Sequence, residues 1–282
     1  MWGKSNIKSA LSAIFLLLIA RKNIYLCSTF LESVTKAEIK YYASLTQKKN
    51  RIEESKFLVE GIKLINDALD SGYYCESVFY SADASSAEED FVDSLRKRVT
   101  KIAEVRRNDI VRFSDTKSPQ QVSAVFYNDN NHREIKGSLI VALENINDPG
   151  NLGSIIRSSD WFGVESVILS ENCAEVFSPK VIRASAGSVF HINIIESKDF
   201  YNQLKELVKQ EYSICTADLN GENIYSFKRQ KKMVLVLANE THGPSEVLLN
   251  LCDTKLTIPR KGKAESLNVA NASAVILSEL TN

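Results

Sequence analysis

Residues 139–157 read LIVALENINDPGNLGSIIR, and this stretch decides the fold class. A mostly apolar run of strand length ends at a turn built on Asp148, Pro149 and Gly150, and a helical pattern follows directly. Short apolar runs alternate with helical segments from here to the C-terminus. The predicted strands are 139–144, 166–169, 189–195, 213–216, 233–238 and 256–258. This order predicts an α/β domain with a mainly parallel sheet covered on both faces, so we expect ligands in the loops beyond the carboxyl ends of its strands.

The N-terminal half of the chain predicts a separate, smaller α/β unit. Apolar residues at positions 58, 62, 65 and 69 have helical spacing and end at Gly72, and the runs 77–80 and 122–127 are strand-like. A polar segment that starts at residue 129 lacks apolar periodicity, which is typical of a linker. The expected segments are an extension at 1–33, a first domain at 34–128, a linker at 129–137 and a second domain at 138–282.

The first 33 residues do not fit either domain. Lys4 and Lys8 precede the apolar run 10–20, which imitates the start of a signal peptide, but Arg21 and Lys22 follow without a cleavage site. Eleven apolar residues are too few for a helix to span about 30 Å of hydrocarbon. We expect a poorly ordered or wrongly assigned extension, with a targeting segment or a docked helix as alternatives, and a cytoplasmic protein.

Composition excludes several classes of protein. A chain of 282 residues with 44% hydrophobic and 25% charged residues is globular rather than disordered or collagen-like. Lys plus Arg equals Asp plus Glu at 35 each, so any nucleic-acid binding must come from local patches. The five cysteines and three histidines are scattered without metal-ligand spacing. We expect no disulfide scaffold, no metal and no membrane partner.

Two further loops share the character of the first. Residues 238–245, ANETHGPS, follow a predicted strand and place Glu240 just past its end. Residues 258–270, IPRKGKAESLNVA, are rich in Lys and Arg and lead into the closing helix, with Ser266 as its expected N-cap. Asn268 lies in the first turn of that apolar helix, where its amide needs a hydrogen-bond partner. In the first loop Asn151 is the expected N-cap, and a helix N-terminus after a glycine turn suits a phosphate.

Together the three loops resemble the three sequence motifs of the SpoU/TrmH family of RNA ribose 2′-O-methyltransferases. The matching patterns are NxPxNxGxIxR from residue 147, NExxGxS from residue 239, and IPxxG from residue 258 with SLNVA from residue 266. Residues 185–190, SAGSVF, resemble a linking segment typical of the family. Three coincident motifs are far more specific than one.

The resemblance implies a SPOUT-type α/β domain with a C-terminal trefoil knot, S-adenosylmethionine as methyl donor, and a homodimer whose subunits share each active site. It also implies that residues 34–127 form a ribosomal-protein-like RNA-binding domain. The expected function is methylation of a ribose 2′-OH in structured RNA, preferably ribosomal RNA. A tRNA methyltransferase and a non-catalytic RNA-binding or assembly factor are the alternatives. A nucleotide-binding oxidoreductase is disfavoured because no GxGxxG follows a strand.

Site residues follow from the same resemblance. The expected catalytic residues are Arg157, Asn151, Glu240, Ser266 and Asn268. The expected cofactor-binding residues are Leu237, Ala238, Asn239, Gly243, Ile258, Pro259, Gly262 and Leu267. Arg157 acts either as the base for the 2′-OH or as an electrostatic clamp; a guanidinium pKa above about 12 favours the clamp. The family normally has Gly at the position of Ala238, so a lower cofactor affinity is a further expectation.

Local charge suggests where RNA binds. Lys48, Lys49 and Arg51 form one basic run, and Arg157 is expected to join them in holding RNA. A second basic run lies at 96–112. Either run also fits a solvated helix face.

Overall fold

The computed structural model describes residues 34–128, 134–239 and 243–282. The predicted extension at 1–33, most of the predicted linker and Glu240 therefore lie outside the described residues. None of the helices in the described part of the chain combines the length and hydropathy that a membrane crossing requires.

The N-terminal domain is built on a four-stranded sheet in the order β1-β4-β2-β3. Strands β2 and β3 are parallel, while β4 is antiparallel to both of its neighbours. The strands are β1 Lys56–Glu60, β2 Cys75–Ser81, β3 Lys101–Val105 and β4 Val122–Tyr127. The helices are α1 Lys36–Ser44, α2 Lys48–Glu54, α3 Ile62–Asp70, α4 Ser86–Ser94 and α5 Arg107–Ile110, with single 3₁₀ turns at Leu95–Lys97 and Val111–Phe113.

One helix prediction in this domain is wrong at its start. Leu58 lies in β1, and α3 begins only at Ile62. The break is at Gly61, whose φ of +86° lets the chain turn from strand into helix. The helical spacing of Leu58 with Ile62 was therefore a coincidence of two adjacent elements.

The C-terminal domain has a six-stranded sheet in the order β10-β8-β9-β5-β6-β7, and every neighbouring pair is parallel. Its strands are β5 Leu139–Glu144, β6 Ser166–Leu169, β7 Asn193–Glu196, β8 Ser213–Asn223, β9 Met233–Ala238 and β10 Thr254–Thr257. Its helices are α6 Pro149–Trp161, α7 Pro179–Ala184, α8 Ser188–His191, α9 Phe200–Lys209, α10 Glu246–Leu249 and α11 Val269–Leu280. The predicted parallel α/β class is confirmed.

The sheet is covered on both faces because its central strands are apolar on both. In β5, Val141 and Leu143 pack in one core with α6 and α11, while Ile140 and Ala142 pack in another with α9. Successive side chains of a strand point to opposite faces, so both sets are buried. The carboxyl ends of β5 and β9 consequently lie side by side, with Glu144 opposite Ala238.

The predicted strand at 189–195 divides into two elements. Ala186 and Gly187 have φ of +52° and +101°, and the turn they make starts the short helix α8. Only Asn193–Glu196 joins the sheet. An apolar run of seven residues cannot by itself distinguish a buried strand from a buried helical turn followed by a short strand.

Aromatic stacking and ion pairs join the two domains. Phe57 of β1 stacks on Phe177 with ring centroids 4.4 Å apart. Arg183 of α7 pairs with Asp115 at 2.7 Å. Arg51 donates two hydrogen bonds of 2.6 Å to the carboxylate of Glu175. Residues from both domains thus belong to one continuous core.

The expectation that Arg51 contacts RNA is corrected by this placement. The residue is only 6% exposed, and its remaining terminal nitrogen donates to the carbonyl of Leu45 at 2.8 Å. Its guanidinium group is paired with acceptors inside the protein, as a guanidinium that is removed from water must be. Lys48 and Lys49, one helical turn earlier, are exposed.

Candidate cofactor and substrate site

A cavity of about 560 Å³ lies at the carboxyl ends of β9 and β10. All eight residues expected to bind the cofactor line it: Leu237, Ala238, Asn239, Gly243, Ile258, Pro259, Gly262 and Leu267. Ser266, expected to be catalytic, also lines the cavity, whereas Asn151, Arg157 and Asn268 do not. The structure thus gathers positions from residue 237 to residue 267 around one space.

The walls of this cavity suit a ligand with a flat apolar part and a few polar groups. Leu237, Leu256, Ile258 and Ile276 supply apolar surface, and Asn239 supplies an amide. A volume of several hundred Å³ with mostly apolar walls and few polar groups is the ordinary character of a cofactor site. The pocket therefore fits a nucleoside-sized molecule.

Ala238 does not carry the backbone strain that replacement of a glycine would predict. It is the last residue of β9, where the backbone is extended, and the residues with positive φ do not include it. It lines the cavity in a backbone conformation that alanine adopts without strain. The remaining reason to expect a lower cofactor affinity is the space that the Ala238 methyl group occupies.

Side-chain amides tie the three loops to one another. Asn239 of the second loop donates to the Asn147 side chain of the first at 3.3 Å and to the Asn145 carbonyl at 3.1 Å. Asn268 of the third loop donates to the Asn151 side chain at 2.9 Å. Motifs that are separated by about a hundred residues in sequence therefore meet at one edge of the sheet.

Two predicted helix caps are wrong by a few residues. Asp148, not Asn151, caps α6 and accepts a hydrogen bond of 2.9 Å from the Asn151 backbone N–H. This bond, with Lys180 at 3.4 Å, lowers the pKa of the Asp148 carboxyl. Asn268, not Ser266, caps α11. The helix caps are therefore the side chains of Asp148 and Asn268 rather than those of Asn151 and Ser266.

Arg157 lies on α6, six residues after Asn151, which places it about 9 Å further along the helix at ~1.5 Å per residue. Its side chain is exposed, and within the part of the chain that the structure describes it has no ion-pair partner. An unpaired guanidinium at the surface is available to an anionic ligand. Glu240, the expected partner of Arg157 or of a cofactor-side loop, lies outside the described residues.

Sequence reasoning missed Glu144. This residue ends β5, is 1% exposed, and accepts hydrogen bonds from Tyr201 and Ser245. The sequence signal that could have found it is a single carboxylate at the end of an otherwise apolar predicted strand. A carboxylate that is buried there needs fixed hydrogen-bond donors, which indicates a specific structural role.

Both basic runs contain exposed ion pairs, and those of Arg107 and Arg112 in the second run are similar in length to that of Lys49 in the first. In the run 96–112, five cations are each paired with a carboxylate: Arg96, Arg98, Lys101, Arg107 and Arg112. Lys49 makes only a long, exposed contact of 3.7 Å with Glu53. Exposed pairs of this kind contribute little and leave the lysine available to phosphate.

Comparison with known proteins agrees with this geometry. Residues 138–278 match the model of the SpoU rRNA Methylase family, and residues 36–124 match the MRM3-like substrate binding domain. The 23S rRNA (guanosine(2553)-2′-O)-methyltransferase RlmP of Bacillus subtilis is 28% identical over 89% of this chain and 98% of its own. An uncharacterized tRNA/rRNA methyltransferase of Archaeoglobus fulgidus is 30% identical over 72% of this chain and 89% of its own.

Solved structures show the same fold. A putative RNA methyltransferase of the TrmH family from Porphyromonas gingivalis superposes with a TM-score of 0.77 and 31% identity, over 88% of this chain and 98% of its own. The SpoU methyltransferase AviRb from Streptomyces viridochromogenes was solved in complex with the cofactor AdoMet. It superposes with a TM-score of 0.77 and 26% identity, over 88% of this chain and 97% of its own.

The fold and the cavity are those of an RNA methyltransferase with a separate substrate-binding domain. This chain belongs to the SpoU rRNA methylase family. The family resemblance predicted from the three motifs is confirmed. The trefoil knot and the domain limits at 34–128 and 138–282 stay predictions.

Proposed function

We propose that this protein methylates a ribose 2′-hydroxyl of ribosomal RNA with S-adenosylmethionine as the donor. The observation that carries the proposal is that the second and third loops line one cavity and that the first loop is hydrogen-bonded to both, through Asn147–Asn239 and Asn151–Asn268. The relative from Bacillus subtilis, whose name states a 23S rRNA ribose methyltransferase, supports ribosomal RNA over tRNA as the substrate.

The eight predicted cofactor residues, all of which line the cavity, are proposed to hold the cofactor. Leu237, Ile258 and Leu267 provide apolar surface for an adenosine group, and exposed backbone beside Gly262 provides hydrogen bonds. The bound cofactor supplies a methyl group activated by a sulfonium charge. The chain's own contribution is to fix the groups in line and exclude water, which can lower a barrier by about 7–11 kcal/mol.

Arg157 is proposed to clamp the target phosphate and to stabilise the oxygen that loses its proton. It is exposed and carries a guanidinium group, which keeps its positive charge in proteins. Asn151, Ser266 and Asn268 are proposed to orient the ribose and phosphate beside the two helix N-termini. Glu240 is proposed to hold Arg157 or the cofactor-side loop.

A homodimer is part of the proposal. Trp161, the last residue of α6, is 84% exposed, and Leu267 beside the cavity is 49% exposed. Large aromatic side chains are enriched at protein interfaces, and Trp161 lies one helical turn beyond Arg157. A partner subunit seated on this end of α6 would bring Arg157 to a shared site. The proposed compartment is that of the ribosome being modified, which is the cytoplasm for a bacterial ribosome.

The RNA is proposed to lie along the N-terminal domain, with Lys48 and Lys49 contacting its phosphates. Both lysines are exposed at the start of α2, and the domain that carries them is fixed to the methyltransferase domain by Arg51 and Glu175. The non-catalytic alternative rests only on Ala238, whose extended backbone leaves the cavity open.

A methyl-transfer assay tests the function directly. The wild-type protein is incubated with tritiated S-adenosylmethionine and total RNA, and label is expected in ribosomal RNA at ribose oxygen. Arg157→Ala should abolish the label while the free energy of unfolding stays within about 0.5 kcal/mol of that of wild type, as for an exposed side chain outside the core. A wild-type protein that binds both cofactor and RNA but transfers no label would contradict the proposal and leave the assembly-factor reading.

A further inference from the structure

Glu144 is a buried carboxylate held by three neutral donors. One of its oxygens accepts from the Tyr201 hydroxyl at 2.6 Å and from the Ser245 hydroxyl at 2.5 Å. The other accepts from the Ser245 backbone N–H at 3.0 Å. The Tyr201 and Ser245 hydroxyls lie 3.1 Å apart, so the three side chains form one closed network.

The backbone of the same residue holds the other end of the loop. The Glu144 carbonyl accepts from the Asn239 N–H at 3.1 Å, in continuation of the β5–β9 pairing. Glu144 therefore bonds to residue 239 with its main chain and to residue 245 with its side chain. Asn239, Gly243 and Pro244, which lie between these two attachments, line the cavity.

A charge is not needed here for packing. The five preceding residues of β5 are buried and apolar, and an apolar side chain would continue the strand without placing a carboxylate out of water. A buried carboxylate is tolerated only where its donors are fixed. The network thus fixes Ser245 to the carboxyl end of β5.

We propose that Glu144 is a positioning residue that sets cofactor affinity by holding Ser245, and with it the adjacent cavity residues Gly243 and Pro244, at the end of β5, with Tyr201 as its brace. The proposal rests on the proposed function, because it takes the cavity to be the S-adenosylmethionine site. Glu144 acts through Ser245 and does not line the cavity itself.

Calorimetric titration with S-adenosylmethionine alone tests this role. Glu144→Leu removes both attachments of the side chain and should weaken binding by on the order of tenfold or more, the equivalent of losing a hydrogen bond to a charged group. Glu144→Gln should recover most of the affinity: its amide oxygen can accept from the Ser245 N–H, and its NH₂ can donate to the two hydroxyls, which rotate. Tyr201→Phe removes one donor and should have a smaller effect of the same sign.

Tyr212→Phe is the matched control. The Tyr212 hydroxyl donates to the Gly137 carbonyl at 2.7 Å, just before the amino end of β5. The substitution therefore removes the same chemical group as Tyr201→Phe, but at the amino ends of the strands, away from the cavity. Its S-adenosylmethionine affinity should equal that of wild type. In steady-state assays Glu144→Gln should raise the KM for the cofactor and regain the wild-type kcat at saturation, whereas Arg157→Ala should not.

The outcomes separate the two proposals. If the folded wild-type protein binds no S-adenosylmethionine, the proposed function fails. If wild type binds and the folded Glu144→Leu, Glu144→Gln and Tyr201→Phe variants bind equally well, the positioning role is wrong. The positioning role is also wrong if the affinity of each variant falls only in proportion to its loss of thermal stability. In that case Tyr212→Phe would show the same relation between affinity and stability.

Discussion

Arg51 and Glu175 form a buried two-bond ion pair between residues 124 positions apart, with both donor distances at 2.6 Å. Arg51 belongs to α2 of the N-terminal domain, and Glu175 precedes α7 of the C-terminal domain. The stacked rings of Phe57 and Phe177 lie at the same domain interface. The substrate-binding domain is consequently fixed to the methyltransferase domain by side chains as well as by the linker.

Arg51→Ala should destabilise the protein by up to about 3 kcal/mol, because the Glu175 carboxylate, which is only 15% exposed, loses its partner. Chemical denaturation measures this loss.

The double variant Lys48→Ala, Lys49→Ala is the contrasting change, and it should keep the stability of wild type. Its RNA affinity should fall, and the slope of log affinity against log salt concentration should fall by about one unit for each lysine that contacts phosphate. An unchanged slope would show that these lysines do not bind RNA.

Asn268→Ser should separate the capping role of this residue from its contact with Asn151. Serine caps a helix about as well as asparagine but is too short to reach Asn151, so stability is expected to hold while methyl transfer falls. Asn268→Ala should lose both functions and about 1 kcal/mol of stability. Equal activity of Asn268→Ser and wild type would exclude a role for the amide in the site.

Glu38 should make stability depend on pH in the acid range. The hydrogen bond from Lys101, followed by that from the Thr35 backbone, lowers the pKa of its carboxyl from 4.5 to about 2. Its stabilising contribution is complete above pH 4.5 and is lost as pH falls from 4.5 towards about 2, since the unfolded chain takes up the proton first. Glu38→Gln should flatten the unfolding free energy across that window. Denaturant titrations at closely spaced pH values measure it, and parallel curves for both proteins would contradict the assignment.

Trp161→Glu tests the proposed dimer. The residue is 84% exposed, so the substitution should leave the fold of an isolated chain intact while placing a charge in the interface. Light scattering should show a dimer for wild type and a monomer for the variant, with methyl transfer reduced. Tyr225→Glu, at a 59% exposed aromatic residue, is the control and should remain dimeric. A wild-type monomer with full activity would remove the shared-site proposal.

The order of apolar runs was sufficient for the parallel sheet of the C-terminal domain. Five of its six strands fall on the predicted runs, because buried central strands require a continuous apolar sequence of strand length. Errors came where adjacent apolar positions belonged to two elements: Gly61 with its positive φ separates β1 from α3, and the run 189–195 is divided between α8 and β7. The caps of α6 and α11 were also misplaced, since several residues near a helix start can accept the same N–H groups.

The sequence by itself determined the family, through side chains and spacings that lie within three short loops, and it determined the part of the cavity lining that the second and third loops supply, whereas the lining segment 217–220 appeared only in the structure. Only the tertiary structure decided the roles of residues whose partners are distant in the chain. Arg51 has the sequence context of a surface cation, but Glu175 buries it. Glu144 has the context of a strand end, but Tyr201 and Ser245 make it a clamp. Charge and burial are set by what packs against a residue, and no local pattern encodes that neighbour.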